Sequence, residues 1–117
     1  MNKLEHFRSS LHKQDHAFSD TLSFIDECYR YSPSAFRNGP LLNAKGQNEG
    51  SCKLLGLILL EGFSAEEALK AFGEHYRHVL ASPEGTDHPN IRALMATGLS
   101  GVAFEQAPLT RKQAFQD

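Results

Sequence analysis

The side chains best suited to chemistry fall in two short stretches, N-A-K-G-Q-N-E-G-S-C-K at 43–53 and P-E-G-T-D-H-P-N-I-R at 83–92. Cys52 stands where the first stretch gives way to the apolar run Leu54 to Leu60, in the first turn of the helix that run predicts. A helix N-terminus lowers a thiol pKa and so raises its thiolate fraction. His88 is then the candidate base, with Asp87 or Asn90 to orient its imidazole, which supplies the parts of a cysteine-nucleophile site. Glu49 is the alternative general base, with Arg92 or Arg37 to hold an anion. The order and spacing match no protease signature, and G-Q-N-E-G lacks the lysine spacing of a phosphate-cradling loop.

The same residues admit two other readings. Arg37, Asn38, Asn48, Glu49, Asp87, His88, Asn90 and Arg92 could line a polar cleft that recognises a peptide or a small molecule. They could equally cap two helix starts and tie down loop backbone, whose buried N–H and C=O groups must all be paired. An enzyme is the less expected outcome. His75 and His78 at i, i+3 with Glu74 nearby could share a metal, but no H-x-x-x-H or H-E-x-x-H pattern supports it, so no metal and no cofactor are expected.

The elements that position these residues follow from periodicity and breakers. Leu4, Phe7 and Leu11 predict a short amphipathic helix over 1–13, with a polar bias that would also suit a specialised export signal. Asp15 can cap a second helix to about Tyr31, with Phe18, Leu22, Ile25 and Tyr29 inward and Cys28 beside them as a small core side chain. Pro33, Asn38-Gly39, Pro40 and Lys45-Gly46 break the pattern, so 33–48 reads as a long ordered loop pinned by Phe36 and Leu41 or Leu42. Ordered loops of that length are often functional.

The central helix is expected from about Asn48 to Glu61, buried on nearly every side, with Gly56 admitting a neighbouring helix and Gly62 closing it. Ser64-Ala65-Glu66-Glu67 is a capping box for a helix continuing to about Ala81, with Leu69, Phe72, Tyr76, Val79 and Leu80 inward. Asp87 or His88 caps the last helix, in which Pro89 suits the first turn and Ile91, Leu94 and Met95 face inward until Gly98. Residues 101–104 have an extended pattern. Residues 107–117, with Leu109 and Phe115 isolated, read as a mobile tail.

Composition bounds the class. The 117 residues suit one domain, and 40% hydrophobic with 22% charged content is ordinary for a globular chain. A net charge of −2 with scattered lysines and arginines argues against a nucleic-acid partner. No apolar run approaches the roughly 20 residues needed to span a bilayer, so no membrane partner is expected. Glu5 and His6 stand where a secretory signal would begin its apolar region, and Cys28 and Cys52 form no disulfide framework. Two reduced thiols suit a cytoplasm.

Read together, F-R-N-G at 36–39, G-Q-N-E-G-S-C-K at 46–53 and P-E-G-T-D-H-P-N-I-R at 83–92 resemble the HopJ type III effector family. Y-R-Y-S-P-S-A-F and F-G-E-H-Y-R-H-V-L resemble it too, so the likeness covers roughly residues 18–105. It departs at Leu94, where the family commonly has an aromatic, and at Gly98-Leu99, where it has Gly-Trp. The resemblance implies a small, mainly helical bacterial domain and no particular activity. It also implies a bacterial cytoplasmic origin, with export by a type III system as a further step.

The combined expectation is a mainly α single domain over 1–106, about five helices around a buried central one, with at most a very short β-ribbon and a tail at 107–117. Its expected partners are a host or bacterial protein or a small ligand, and its expected state is a monomer or weak dimer.

Overall fold

The computed structural model describes residues 2–112. Among them are six helices: α1 (Lys3–Ser10), α2 (Phe18–Cys28), α3 (Glu49–Glu61), α4 (Ala65–Ala71), α5 (Glu74–Ala81) and α6 (Pro89–Thr97). Five strands of three residues each, β1 (Tyr29–Tyr31), β2 (Phe36–Asn38), β3 (Leu41–Asn43), β4 (Val102–Phe104) and β5 (Leu109–Arg111), form two antiparallel sheets, ordered β1-β5 and β3-β2-β4. The fold is mainly α, with more strand than a single ribbon. No helix among the described residues is long and apolar enough to cross a membrane.

Helix α3 is the centre. Leu54, Leu55, Leu57 and Ile58 are fully buried, though Leu59 and Leu60 near its end reach solvent. Gly62 closes it in the left-handed region, with φ 73°, where a side chain would be strained. Gly56 does admit a close neighbour, but that neighbour is not a helix. A Cβ there would stand 2.5 Å from Pro108 Cγ, so the glycine makes room for the segment leading into β5.

That contact corrects the expected tail. Leu109 is buried, and β5 pairs with β1 in the register Tyr29↔Arg111, while Glu61 receives both the Tyr29 hydroxyl and Arg111. Residues 113–117, including Phe115, lie outside the described residues. The same pairing ends α2 at Cys28 rather than near Tyr31, because a partner strand outweighs the weak helical preference of Tyr-Arg-Tyr. Helix α2 starts after Ala17, whose N–H donates to Asp20, and it buries Thr21, Phe24, Ile25 and Cys28.

The expected loop at 33–48 carries two short strands. Strands β2 and β3 form a hairpin around Gly39-Pro40, one residue later than an Asn38-Gly39 turn, and β4 adds to the other side of β2. Phe36 is buried and stacks on Phe104, whereas Leu42 is 80% exposed and pins nothing.

The helix expected over 64–81 is two helices. Gly73, with φ 60° and ψ −127°, breaks it and lets the backbone of His16 to Phe18 approach to a distance no Cβ would allow. Glu74 then accepts the Phe18 N–H at 2.8 Å, so the first turn of α5 caps the start of α2. The break also turns Leu80 outward, and Met95 of α6 is exposed rather than inward.

Helix α1 follows its expected pattern, capped by Asn2 and buried through Phe7, with Leu11 just beyond it. Its other anchor is Arg8, which forks onto Glu67 through Nε and, at 2.8 Å, Nη2. Glu67 also completes the Ser64 capping box. The Arg8 guanidinium first, then the Ser64 N–H, hold its carboxyl down to about 2 against the cost of burial. A depressed folded-state pKa stabilises the protein fully above the ordinary value of 4.5 and ceases to as pH falls toward 2. Urea unfolding between those limits should therefore lose on the order of 2 kcal/mol through this group, discounted for half-exposed Arg8. Glu67→Gln, which keeps the cap, should flatten that part of the pH profile.

Candidate functional site

The structure brings the two polar stretches together through a buried amide network. Asn38 of β2 donates from Nδ2 to the Asn90 carbonyl at 2.8 Å and to Asn90 Oδ1 at 3.0 Å. Asn43 of β3 donates to Asn90 Oδ1 and accepts from both Asn90 Nδ2 and Asn48 Nδ2, the last at 2.7 Å. Asn38, Asn43 and Asn90 are each at most 5% exposed. The starts of α3 and α6 are thereby fixed to one hairpin.

Both helix starts are unusual in the same way. Asn48 and His88 occupy the N-cap positions in the left-handed region, with φ 53° and 51°, and neither side chain caps its own helix. Among the described residues nothing accepts the N–H of Gly50, Ser51 or Asn90. These open donors border a cleft of about 300 Å³ lined by Asn48, Gly50, Ser51, His88, Pro89, Asn90 and Ile91. Phe18, Phe72 and His75 complete the wall, with Phe18 stacked on Phe72 and edge-on to His75. Helix N-termini and their free N–H groups favour negative charge and hydrogen-bond acceptors.

The remaining predicted residues divide clearly. Arg92 binds the carbonyls of Ser82, Pro83 and Asp87 and the carboxylate of Asp87 at 2.6 Å, tying the 82–88 turn to α6. The guanidinium, and secondarily His78 and His88, hold the Asp87 carboxyl below the ordinary range. Arg37 is exposed on β2, away from the cleft, and Asn38 is wholly internal. Glu49 lies in the first turn of α3, where it helps burial push the Tyr31 phenol up.

Cys52 is 1% exposed, and its sulfur donates to the Ser34 carbonyl at 3.7 Å. Burial pushes its thiol up, against the lowering effect of the Ser34 bond, which is the direction opposite to activation. No hydrogen bond or ring contact among the described residues joins it to His88. His88 meets Asp87, His75 and His78 instead. Glu74 Oε1 accepts the Phe18 N–H and its Oε2 lies 3.9 Å from His75 Nε2, while the residues that gather around His78 are Asp87 and His88.

Sequence reasoning missed Phe18, Gly50, Ser51, Phe72 and His75 as cleft residues. Ser51 and Gly50 were legible from their place at the helix start. Phe18 had no signal, since only the break at Gly73 brings it there.

A family model described as HopJ type III effector protein matches residues 4–109. The chain belongs to the HopJ family. The match extends the resemblance at 18–105 to nearly all the described residues, including α1. A solved structure, reported as the crystal structure of unknown function protein VPA0580, is similar to this HopJ chain throughout. It is 39% identical, superposes with a TM-score of 0.88, and the likeness covers 96% of this chain and 97% of that one. No curated protein matches.

Two measurements check the site. Asn90→Ala should destabilise by about 1–3 kcal/mol in chemical unfolding, because it removes the acceptor of the buried Asn43 Nδ2 and the second acceptor of Asn38 Nδ2. Peptide-mapped alkylation from about pH 5 to 9 should leave Cys52 unlabelled until the protein unfolds, as expected for an inert buried thiol.

Proposed function

We propose that this HopJ-family protein is a recognition module whose cleft between the α3 and α6 starts takes the carboxylate of a small molecule or of a peptide end. The observation that carries this reading is the cleft's chemistry: open N–H groups of two helix starts on one side and an aromatic wall of Phe18 and Phe72 on the other. An acceptor-bearing head would sit on the donors, and an apolar body would rest against the rings. The volume suits the small end of ligand sites. Of the residues expected to bind, Asn48, His88 and Asn90 would line the site, while Asn38, Asp87 and Arg92 would hold it in place. Glu49 and Arg37 have no contact role in this reading.

The cysteine-enzyme alternative loses support from the burial of Cys52 and its separation from His88. Delivery by a type III system, to act on a host or bacterial partner, is the route that the family description suggests for this chain.

Fragment titration followed by amide NMR tests the reading. Short aromatic carboxylates should shift the Gly50, Ser51 and Asn90 amides, whereas matched amines and alcohols should not. Peptides with a free or amidated C-terminus separate the two sources of the group. Ser51→Asp should abolish these shifts by placing like charge in the cleft. The fold should survive, since an acidic residue in the first helical turn is favourable. Equal binding by Ser51→Asp, or carboxylate shifts confined to other surfaces, would sink the proposal.

A further inference from the structure

Beside the cleft, the chain brings three metal-binding side chains together from separate places. His78 comes from the last turn of α5, Asp87 from the turn, and His88 from the cap of α6. One ligand atom from each lies within 4.8 Å of the other two. Asp87 Oδ2 is 3.0 Å from His78 Nε2 and 3.9 Å from His88 Nε2. We propose that His78 Nε2, His88 Nε2 and Asp87 Oδ2 form a binding site for a first-row divalent transition-metal ion, with zinc as the representative.

The geometry is close to what such an ion needs. A tetrahedral zinc with ligands at about 2.0–2.2 Å holds its donors roughly 3.3–3.6 Å apart, and the two measured separations straddle that range. Rotation of side chains that are partly exposed would close the remaining difference. A simple His78–Asp87 ion pair accounts for one of these approaches. It does not account for a second imidazole nitrogen turned toward the same oxygen, too far for a hydrogen bond.

The surroundings favour the same assignment. Arg92 occupies the other Asp87 oxygen at 2.6 Å and also holds the Asp87 carbonyl, so the carboxylate presents Oδ2 alone. Outer partners of this kind orient metal ligands. The His88 backbone, at φ 51°, is held in a conformation that a non-glycine residue takes only under constraint. Two imidazoles and one carboxylate suit zinc, iron(II), cobalt or nickel, rather than calcium or magnesium, which prefer oxygen ligands. Three protein ligands also leave a coordination position open. Since His88 lines the cleft, a bound ion would stand at its edge. The site stands independently of the carboxylate reading, because binding of the bare ion tests it.

The experiment is zinc titration of the full chain after chelator treatment and dialysis, by calorimetry, with cobalt absorption as a report on ligand geometry. One ion per chain at micromolar concentration is expected, with a cobalt spectrum of low-coordinate nitrogen–oxygen ligation. His78→Ala should weaken binding by more than the roughly 10–100-fold that loss of an outer partner costs. His88→Asn, chosen because Asn tolerates the left-handed region, should do the same, and the pair together should abolish binding. His12→Ala, remote from the cluster, should change nothing. No uptake at micromolar zinc, or wild-type affinity in His78→Ala, would overturn the proposal. His78 is exposed in the last helical turn, so that variant remains decisive even if His88→Asn unfolds.

Discussion

The asparagine network is the constraint on which the rest of the site depends. Buried amides must be satisfied together, because leaving one member unpaired costs more than a formed bond contributes. Asn43 and Asn90 exchange bonds in both directions, and Asn48 joins through Asn43, so three elements share one register. At the start of α3, Asn48 donates through Nδ2 to Asn43 and does not cap its own helix. At the start of α6 the N-cap residue is His88, whose ring meets Asp87 and two other imidazoles rather than the helix backbone.

A second principle runs through the scaffold: single carboxylates serve two elements at once. Glu67 completes the cap of α4 and anchors α1 through Arg8. Glu74 begins α5 and caps α2. Glu61 ends α3 and gathers Tyr29 of β1 with Arg111 of β5. Helices of seven to eight residues and strands of three are too short to persist alone. Their order comes from these junctions and from the leucines of α3.

Strong local signals were legible and weak ones were not. The leucine run, the Ser64–Glu67 box, Pro89 at a helix start and Gly62 at a helix end each act within a few residues, and each stands where its chemistry predicts. The extended pattern at 101–104 and the very short ribbon allowed around 33–48 anticipated β4 and the β2–β3 pair, whereas β1 and β5 were hidden because three residues carry too little alternation and the two lie far apart in sequence. Gly73 was hidden because a glycine inside a helical pattern is usually tolerated, and only its approach to His16 and Phe18 decides otherwise. The two polar stretches do meet, but which of their residues face the cleft depended on packing: Gly50 and Ser51 border it and Cys52 points inward. The His78–Asp87–His88 cluster escaped because its members sit on three elements, whereas metal motifs are recognised by spacing along one.

The pairing of β1 with β5 joins residue 29 to residue 111, and Pro108 fills the space over Gly56 at the middle of the chain. Contacts that close so large a loop form late, after nearer ones have reduced the chain's freedom. The Gly56 face of the central helix therefore lacks the cover of Pro108 until β5 has paired with β1, so the last contact to form is the one that closes the core.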